Sequence, residues 1–313
     1  MCLLAKYKVF LNEYIDEEAI ELLEKHADIT NNLEKISEVD AIILRTFPVS
    51  RKLIENAPKL KVIGKHGVGY DSIDIEAAKE HGVKVVYTPE ANIQSVSELI
   101  IALMTNAARR ISLSFEKGKN NQLTSIGPKN LIGYQLNKKI LGLVGAGKIG
   151  LNTARIAKNG FNMKIIAFDP LISREQCEEL GIEKIDNLND LLKLSDFVSI
   201  SVPLNKGTKH LINKDNLSYM KSNAILINTS RGGVVDETAL YDALKENKIF
   251  AAASDVFVNE PPTGANPLLH LENFIGTPHI GANTKEAAKL VGLTIVQEVL
   301  LVLENKEPKY RVI

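Results

Sequence analysis

The amino-acid sequence predicts an α/β protein with two doubly wound parallel-sheet domains. Three observations support this fold class. The chain has 313 residues, which is more than one hydrophobic core usually contains. Short β-rich runs alternate with helical segments in two separate series, and a polar, irregular stretch divides the two series. Each series should therefore form a parallel sheet that helices cover on both faces.

The first series occupies the chain up to Tyr87. Its predicted strands are 7–11, 39–44, 61–63 and 83–87, and its predicted helices are 16–26, 50–56 and 74–81. Gly82 ends the third helix as a C-cap glycine would. A longer helical stretch over 92–111 contains no internal proline or glycine. This stretch can link two domains.

The second series begins at Lys139, after residues 112–137, which are predicted to be an irregular excursion. Its predicted strands are 140–144, 164–168, 197–202, 224–228, 250–255 and 274–276. A final helix over 285–304 and a tail over 309–313 follow. The pattern does not predict what they pack against.

The composition excludes several classes of protein. Lys and Arg total 38 and Asp and Glu total 38, so no net charge would attract nucleic acid or an anionic membrane surface. No run of about 18 apolar residues predicts a transmembrane helix, and Lys6 and Lys8 come too early for a signal peptide. Two cysteines, Cys2 and Cys177, predict neither a disulfide framework nor a four-ligand zinc site. We expect a cytoplasmic protein without a bound metal.

A glycine-rich turn follows the strand at 140–144. Its sequence is Gly145-Ala146-Gly147-Lys148-Ile149-Gly150, and a helical segment follows it. Gly145 permits the tight turn, Gly147 lets the backbone approach a pyrophosphate, and Gly150 lets the helix pack closely on the strand. The amides of Lys148 and Ile149 would point at phosphate oxygens. This pattern predicts a dinucleotide site.

Asp169 strengthens that prediction. It ends the next strand, 19 residues after Gly150, where its carboxylate can accept hydrogen bonds from the adenosine ribose hydroxyls. Its charge would repel a 2′-phosphate, and residues 170–173 supply no Arg or Lys, so NAD is favoured over NADP. The spacing of Gly142 and Gly147-Lys148 also resembles an ATP phosphate loop. Ile149, however, has no hydroxyl to ligate magnesium.

Three side chains at or beyond the ends of later strands can carry chemistry. Arg231 can hold a substrate carboxylate through two parallel charged hydrogen bonds. His279 can exchange a proton near neutral pH, and a neighbouring carboxylate such as Glu260 would stabilise its charged form. Taken singly, each also fits a surface or structural residue. Together they predict an active site at the carboxyl ends of the strands.

These motifs together resemble one family, the D-isomer-specific 2-hydroxyacid dehydrogenases, over nearly the whole chain. The resemblance rests on segments 67–74, 92–98, 145–150, 228–233, 255–257 with 260–262, and 277–282. It implies that Arg231 holds the carboxylate of a D-2-hydroxy acid and that His279 removes the hydroxyl proton. Glu260 would support the imidazolium while a hydride passes to NAD.

The resemblance also implies further binding residues. Besides the glycine turn and Asp169, those expected to contact the cofactor are Val202, Pro203, Thr208, Thr229, Ser230, Asp255, Gly281 and Ala282. Besides Arg231, those expected to contact the substrate are Arg45, Lys65, His66, Gly67, Val68 and Asn92. Arg45 and Lys65, at the ends of predicted strands, could meet a substrate phosphate.

The family's architecture implies a Rossmann cofactor domain inserted in a flavodoxin-like substrate domain. We expect residues 96–287 to form the NAD-binding domain and residues 1–95 with 288–313 to form the substrate domain, with the substrate in the cleft. We also expect a homodimer through the cofactor domain, in which residues 112–137 can serve as an arm.

Segments 92–98, 169–173 and 281–287 resemble the phosphoglycerate dehydrogenase branch in particular. This implies oxidation of D-3-phosphoglycerate to 3-phosphohydroxypyruvate, in serine biosynthesis. The sequence stops at Ile313, without that branch's regulatory domain, so serine feedback through such a domain is not expected. D-lactate, hydroxypyruvate, glyoxylate and sulfolactate remain alternative substrates. A protein of another class, an NAD-sensing corepressor, shares the scaffold and the catalytic triad and also remains open.

Overall fold

The computed structural model of the protein describes residues 6–313, and Cys2 lies outside the described residues. The chain divides into two compact units. Unit 1 consists of residues 1–93 and 282–313, and unit 2 consists of residues 94–281. The sequence placed the two domain boundaries at 95–96 and 287–288. In the structure, residues 94–95 belong to unit 2 rather than unit 1, and residues 282–287 belong to unit 1 rather than to the expected cofactor domain.

Unit 1 contains a five-stranded sheet in which every strand pairs in parallel. Its strands and first helices, in chain order, are β1 (Tyr7–Phe10), α1 (Glu17–Glu24), β2 (Ala27–Thr30), β3 (Ala41–Leu44), α2 (Arg51–Glu55), β4 (Val62–Lys65), α3 (Ile75–Glu80) and β5 (Lys84–Tyr87), with a 3-10 helix over Leu33–Glu38. The strand order β2-β1-β3-β4-β5 is the flavodoxin-like order. All four residues of β3 are buried, as expected of a strand that is covered on both faces.

Unit 2 contains a seven-stranded parallel sheet in the order β12-β11-β10-β9-β6-β7-β8. Its elements are α4 (Ile93–Arg109), α5 (Ile111–Lys119), β6 (Ile140–Val144), α6 (Lys148–Phe161), β7 (Lys164–Phe168), α7 (Arg174–Glu179), β8 (Glu183–Lys184), α8 (Leu188–Leu194), β9 (Phe197–Ile200), α9 (Lys214–Leu217), β10 (Ile225–Asn228), α10 (Glu237–Lys245), β11 (Ala251–Ser254) and β12 (Phe274–Gly276). Short 3-10 helices cover Lys129–Leu131, Gly232–Val234 and Pro267–His270. The strand order reverses between β6 and β9, and ligands bind at such switch points in open α/β sheets.

The predicted irregular excursion is wrong for its first part, because residues 111–119 form α5. The single helix expected over 92–111 ends at Arg109, and Arg110 adopts a left-handed backbone with φ 52°. The apolar residues Ile111, Leu113 and Phe115 recur at every second position rather than at helical spacing, and no residue of α5 is buried. The pattern therefore carries no helical signal.

The final helix, α11 (Lys285–Leu303), packs on the sheet of unit 1. Its Val296 and Val299 share a core with Val9 and Ile43. The tail lies along β5, where the Val312 amide donates to the Val85 carbonyl at 2.8 Å. The structure thus supplies the packing partner that the sequence pattern left open.

No helix among residues 6–313 combines the length and the apolar character that crossing a membrane requires.

Candidate active site

The glycine turn after β6 has the geometry that a dinucleotide site needs. Gly145 has φ 97°, and a Cβ added there would lie 2.6 Å from the Ser201 carbonyl oxygen. A Cβ on Gly150 would collide with the Gly145 carbonyl. The tight turn and the close approach of α6 to the strand therefore both depend on glycine.

The N-terminus of α6 opens on free space. Gly147 is the N-cap residue, no side chain caps the helix, and a Cβ added at Gly147 would meet nothing within 4 Å. A larger residue there would fill this space. Because a helix N-terminus presents backbone N–H groups and favours negative charge, the cradle fits the pyrophosphate of NAD.

Asp169 stands beside the same turn, just past the end of β7. Its Oδ2 accepts a hydrogen bond from the Ala146 amide at 2.7 Å, and its Oδ1 accepts one from the Leu171 amide at 2.8 Å. A carboxylate has about four acceptor positions, so two remain for ribose hydroxyls. The structure therefore fixes the Asp169 carboxylate next to the phosphate cradle, where it can accept hydrogen bonds from the ribose hydroxyls of a dinucleotide.

His279 and Glu260 form a hydrogen-bonded pair. The His279 Nδ1 lies 2.8 Å from the Glu260 Oε2, and the Glu260 Oε1 accepts from the Phe257 amide at 3.0 Å. Both side chains remain accessible, with 41% of His279 and 31% of Glu260 exposed. Since Nδ1 donates to the carboxylate, Nε2 is the ring nitrogen left to meet a ligand.

The charge of Glu260 is stabilised within this pair. Burial alone would raise the pKa of Glu260, but the hydrogen bond and charge of His279, the Phe257 amide and the charge of Arg231 hold the pKa of this carboxyl below its usual range. Glu260 is thus ionised at neutral pH. The Glu260 carboxylate therefore presents a negative charge to the His279 ring.

Asp255 holds the loop that carries His279. Asp255 is 1% exposed. Its Oδ1 accepts hydrogen bonds from the Thr277 hydroxyl at 2.6 Å and from the Ile280 amide at 2.9 Å. Its Oδ2 accepts one from the Gly281 amide at 2.8 Å. The Asp255 carbonyl also accepts from the His279 amide at 2.8 Å. Burial raises the pKa of Asp255 above its usual range, although the three donors oppose this shift. The cofactor contact that the resemblance implies for Asp255 stays a prediction, and the structure shows its carboxylate bound to the loop that carries His279.

Arg231 follows β10 in a loop that Asn228 organises. The Asn228 Nδ2 donates to the Arg231 carbonyl at 3.0 Å, and its Oδ1 accepts from the Ser230 amide at 3.1 Å and hydroxyl at 2.8 Å. A Cβ on Gly232 would overlap the backbone of Phe257, so this loop lies tightly against the segment that leads to Glu260. The packing brings the predicted Arg, Glu and His to one edge of the sheet.

Sequence reasoning missed the residues that organise these loops. Asn228 and Thr277 act as described above, and Glu237 joins them from the first turn of α10. The Glu237 Oε1 accepts from the Val258 amide at 2.7 Å, and its Oε2 accepts from the Asn266 Nδ2 at 3.1 Å. Their only sequence signal is a polar residue close to a strand or helix end, which many loops share.

The other predicted cofactor residues of unit 2 also follow strands of its sheet. Val202 and Pro203 come after β9, Thr229 and Ser230 after β10, and Gly281 after β12. Thr208 closes the loop after β9, where its hydroxyl donates to the Pro203 carbonyl at 2.5 Å. Because the strands are parallel, these loops share the carboxyl edge of the sheet. Ala282 falls in unit 1.

The predicted substrate residues other than Arg231 belong to unit 1. Arg45 follows β3 and Lys65 ends β4, and the Lys65 ammonium donates to the Arg45 carbonyl. His66 comes next, and burial, followed by the charges of Arg45 and Lys65, lowers its pKa to about 4. Gly67 donates its amide to the Thr88 hydroxyl at 2.9 Å. The adjacent strands β3 and β4 thus build a positively charged edge.

Val68 and Asn92 complete that set. Val68 is half-buried, and Asn92 is buried with an Oδ1 that accepts no hydrogen bond from residues 6–313. Both lie in unit 1. Residues 6–313 contain no group of three or more His, Cys, Asp or Glu side chains that could hold a metal ion.

Comparison with known proteins places these features in one family. Residues 101–281 match the family described as D-isomer specific 2-hydroxyacid dehydrogenase, NAD binding domain. The chain is 43% identical to a D-3-phosphoglycerate dehydrogenase of Methanocaldococcus jannaschii, with 96% of this chain and 58% of that protein covered. It is 41% identical to a hydroxypyruvate reductase of Thermotoga maritima, with 95% of this chain and 98% of that protein covered.

A solved structure agrees with the sequence comparison. The TT0316 protein from Thermus thermophilus superposes with a TM-score of 0.89 at 30% identity, over 98% of this chain and all of that one. The chain spans little more than half the length of the phosphoglycerate dehydrogenase and nearly all of the reductase. It belongs to the D-isomer specific 2-hydroxyacid dehydrogenases, and residues 101–281 are its NAD-binding domain.

Proposed function

We propose that the protein is an NAD-dependent dehydrogenase that transfers a hydride between NAD and C2 of a small D-2-hydroxy acid. The observation that carries this proposal is the His279 pair, whose Nδ1 lies 2.8 Å from the Glu260 Oε2. The His279–Glu260 pair lies within the NAD-binding domain, and the positive charge of Arg231 helps to lower the pKa of Glu260. An acid–base group beside a fixed cation is what oxidation of a 2-hydroxy acid requires.

Each of the three side chains has one task. In the oxidative direction, the His279 Nε2 accepts the proton of the substrate hydroxyl, and Glu260 stabilises the imidazolium that forms. Arg231 holds the substrate carboxylate through charged hydrogen bonds and orients C2. NAD, when bound, supplies the acceptor for the hydride. In the reductive direction, His279 returns the proton to the carbonyl oxygen.

The turn over Gly145–Gly150 would hold the cofactor, and the amides of Lys148 and Ile149 would bind its pyrophosphate. Asp169 reads the ribose hydroxyls and disfavours a 2′-phosphate, which supports NAD over NADP. The loops after β9, β10 and β12 would contact the rest of the dinucleotide.

The proposed substrate is D-3-phosphoglycerate, whose oxidation to 3-phosphohydroxypyruvate is the first step of serine synthesis. The charge at the edge of unit 1 supports this choice, because Arg45 and Lys65 lie on neighbouring strands and both depress the pKa of His66. Two cations suit a phosphate. The 43% identity to a phosphoglycerate dehydrogenase points the same way. A second candidate is hydroxypyruvate, since the 41% identical relative is a hydroxypyruvate reductase.

We also propose a cytoplasmic homodimer. Residues 111–134 expose several large apolar side chains, namely Ile111, Phe115, Leu123, Ile126, Ile132 and Tyr134. The same unit has a groove of about 260 Å³ that Leu113, Phe250 and Ile275 help to line. An exposed apolar segment of one chain can pair with such a groove on a second copy across a two-fold axis. Sparse cysteines and balanced charge support the compartment.

A steady-state assay of NADH oxidation tests the proposal. It compares 3-phosphohydroxypyruvate with hydroxypyruvate, pyruvate and glyoxylate at matched concentrations. We expect kcat/KM for the phosphorylated acid to be about 100-fold higher, which corresponds to about 2.7 kcal/mol. A faster rate with an unphosphorylated acid would keep the dehydrogenase and reject the phosphoglycerate assignment. No turnover with any acid would favour an NAD-sensing protein.

A further inference from the structure

Glu13 accepts an unusual number of hydrogen bonds for a half-buried loop carboxylate. Its Oε2 accepts from the amides of Arg45 at 2.6 Å and Phe47 at 3.1 Å. Its Oε1 accepts from the Thr46 amide at 2.8 Å and the Thr46 hydroxyl at 2.6 Å. Three successive backbone amides thus converge on one carboxylate, in the manner of an anion nest.

The topology explains why these groups meet. Glu13 follows β1 and Arg45 follows β3, and β1 pairs with β3 in parallel. The two loops therefore leave the same edge of the unit 1 sheet. Phe47 adds an apolar anchor, because its ring lies 5.5 Å from the ring of Phe10 at the end of β1.

The loop after β1 also contacts the guanidinium of Arg45. The Arg45 Nη1 donates to the Tyr14 carbonyl at 3.3 Å, and the Lys65 ammonium donates to the Arg45 carbonyl. Both the backbone and the side chain of Arg45 are thus held by residues at the ends of β1 and β4. Residues 45–47 have little freedom to change conformation while Glu13 remains ionised.

Glu13 remains ionised at neutral pH. Burial alone would raise its pKa, but the Thr46 hydroxyl and the three amides hold the pKa of this carboxyl below its usual range. Charge-assisted hydrogen bonds are about twice as strong as neutral ones, so the ionised form grips the loop most firmly.

We propose that Glu13 is a positioning residue, which holds the 45–47 loop so that Arg45 recognises an anionic group of the substrate. This rests on the proposed function, in which Arg45 contacts the substrate. Glu13 itself touches neither substrate nor cofactor. Because Glu13 orders the loop before the substrate binds, binding does not have to supply that ordering free energy. We therefore expect Glu13 to affect KM rather than kcat.

The test is Glu13→Gln in the full chain. The amide places an NH2 group against backbone donors and removes the charge. We expect the KM for 3-phosphohydroxypyruvate to rise about tenfold or more while kcat stays within about threefold. Glu17→Gln is the matched control, because Glu17 is an exposed acid in the first turn of α1, and it should change neither constant. A loss confined to kcat, or an unchanged KM, would overturn the proposal.

A double-mutant cycle with Arg45→Ala separates positioning from general structural damage. If Glu13 acts through Arg45, adding Glu13→Gln to Arg45→Ala should change kcat/KM by less than about twofold. If the effects of the two substitutions on kcat/KM multiply in the double variant, Glu13 does not act through Arg45 and the proposal is contradicted. The cycle is measured with whichever acid the wild type prefers. If the wild type shows no preference for the phosphorylated acid, the proposed substrate is wrong. The cycle still tests the role of Glu13, because it uses the acid that the wild type does prefer.

Hydrogen exchange provides a readout that does not depend on substrate. The amides of residues 45–47 should exchange about tenfold faster in Glu13→Gln than in the wild type, and as in the wild type in Glu17→Gln. Thr46→Val removes only the hydroxyl donor and should give a smaller change in the same direction, which guards against misfolding of the first variant. Equal exchange in the wild type and in Glu13→Gln would overturn the proposal.

Discussion

In unit 2, Asp255 accepts hydrogen bonds from the loop that carries His279, and in unit 1, Glu13 accepts hydrogen bonds from the loop that carries Arg45. Both carboxylates bind backbone amides and one threonine hydroxyl at the carboxyl edge of a parallel sheet. Their pKa values nevertheless shift in opposite directions, upward for Asp255 and downward for Glu13. The same kind of contact thus has two different electrostatic outcomes.

Burial accounts for the difference. Asp255 is 1% exposed, so the cost of removing its charge from water exceeds what three donors return. Glu13 is only half-buried and has four donors, so hydrogen bonding prevails. In the proposed mechanism, the loop of unit 2 holds an acid–base group in position for proton transfer, and the burial of its anchor Asp255 carries an energetic cost. The loop of unit 1 carries the cation Arg45, and the charged form of its anchor Glu13 is stabilised by hydrogen bonds.

The largest expected effect is on the group that unit 2 positions. His279→Ala removes the proton acceptor, so kcat should fall by about 10³-fold or more, and Arg231→Ala should cause a comparable loss. NADH affinity, followed by the fluorescence of bound NADH, should stay within about threefold, because neither side chain forms the phosphate cradle. His270→Ala is the control, since that residue is exposed and its Nε2 forms a hydrogen bond with the Gly264 carbonyl at 2.7 Å. Near-native rates for both active-site variants would show that the mechanism is wrong.

Asp255→Asn tests the more costly of the two anchors. The amide oxygen can still accept two hydrogen bonds, but the NH2 group then faces the Gly281 amide and the His279 loop loosens. We expect kcat to fall about 10- to 100-fold and the free energy of unfolding to fall by only about 1–2 kcal/mol, because a charge disfavoured by burial is removed as well. Asp215→Asn, on the exposed first turn of α9, should change neither. Unchanged kcat would mean that the anchor does not position His279.

The fold was predictable where strands are deeply buried. The predicted bounds of β6 and β7 coincide with those in the structure, because runs such as Ile140–Val144 are nearly all aliphatic and mostly buried. The bounds of β12 coincide as well, although it is an edge strand in which only Phe274 is buried. Two strands were missed, β2 with its sequence Ala-Asp-Ile-Thr and β8 with only two residues. Both lie at sheet edges, where one side faces solvent and the pattern is weaker.

The sequence predicted the three side chains that the structure brings to one edge of the sheet, but not the residues that anchor their loops. Arg231, Glu260 and His279 stand out because each has chemistry that loops rarely need. Asn228, Thr277 and Glu237 are common residue types, and their roles depend on partners distant in sequence, such as Val258 for Glu237. Hydrogen-bond partners across loops follow from the packed backbone, which a single sequence does not display.

Glu237→Gln examines an anchor of intermediate strength in unit 2. Glu237 binds Val258 and Asn266, on either side of Glu260, so the variant should let the Glu260 segment move away from His279. With two contacts weakened rather than lost, kcat should fall about 5- to 10-fold and NADH affinity should not change. Glu246→Gln, at the other end of α10 and paired with Lys248, should be silent. Equal activity of the two variants would remove Glu237 from the set of positioning residues.

The smallest expected effect concerns the cations of unit 1. The pKa of His66 is lowered to about 4, with burial as the largest cause and the charge of Arg45 as the next. Arg45→Ala should therefore raise the pKa of His66 by less than about one unit, measured from the titration of its ring protons by NMR. Lys59→Ala, an exposed lysine of the same unit, should leave the midpoint unchanged.

The sign of the linked effect on stability provides an independent check. Between pH 6.5 and about 4 the unfolded chain binds a proton at His66 that the folded chain does not, so the folded state loses stability as the pH falls through this window. His66→Gln should flatten that part of the stability curve. Burial sets most of this shift, as it does for Asp255, whereas Glu13 is governed by its donors. A return of the His66 midpoint to about 6.5 in Arg45→Ala would assign the shift to charge instead and remove that parallel with Asp255.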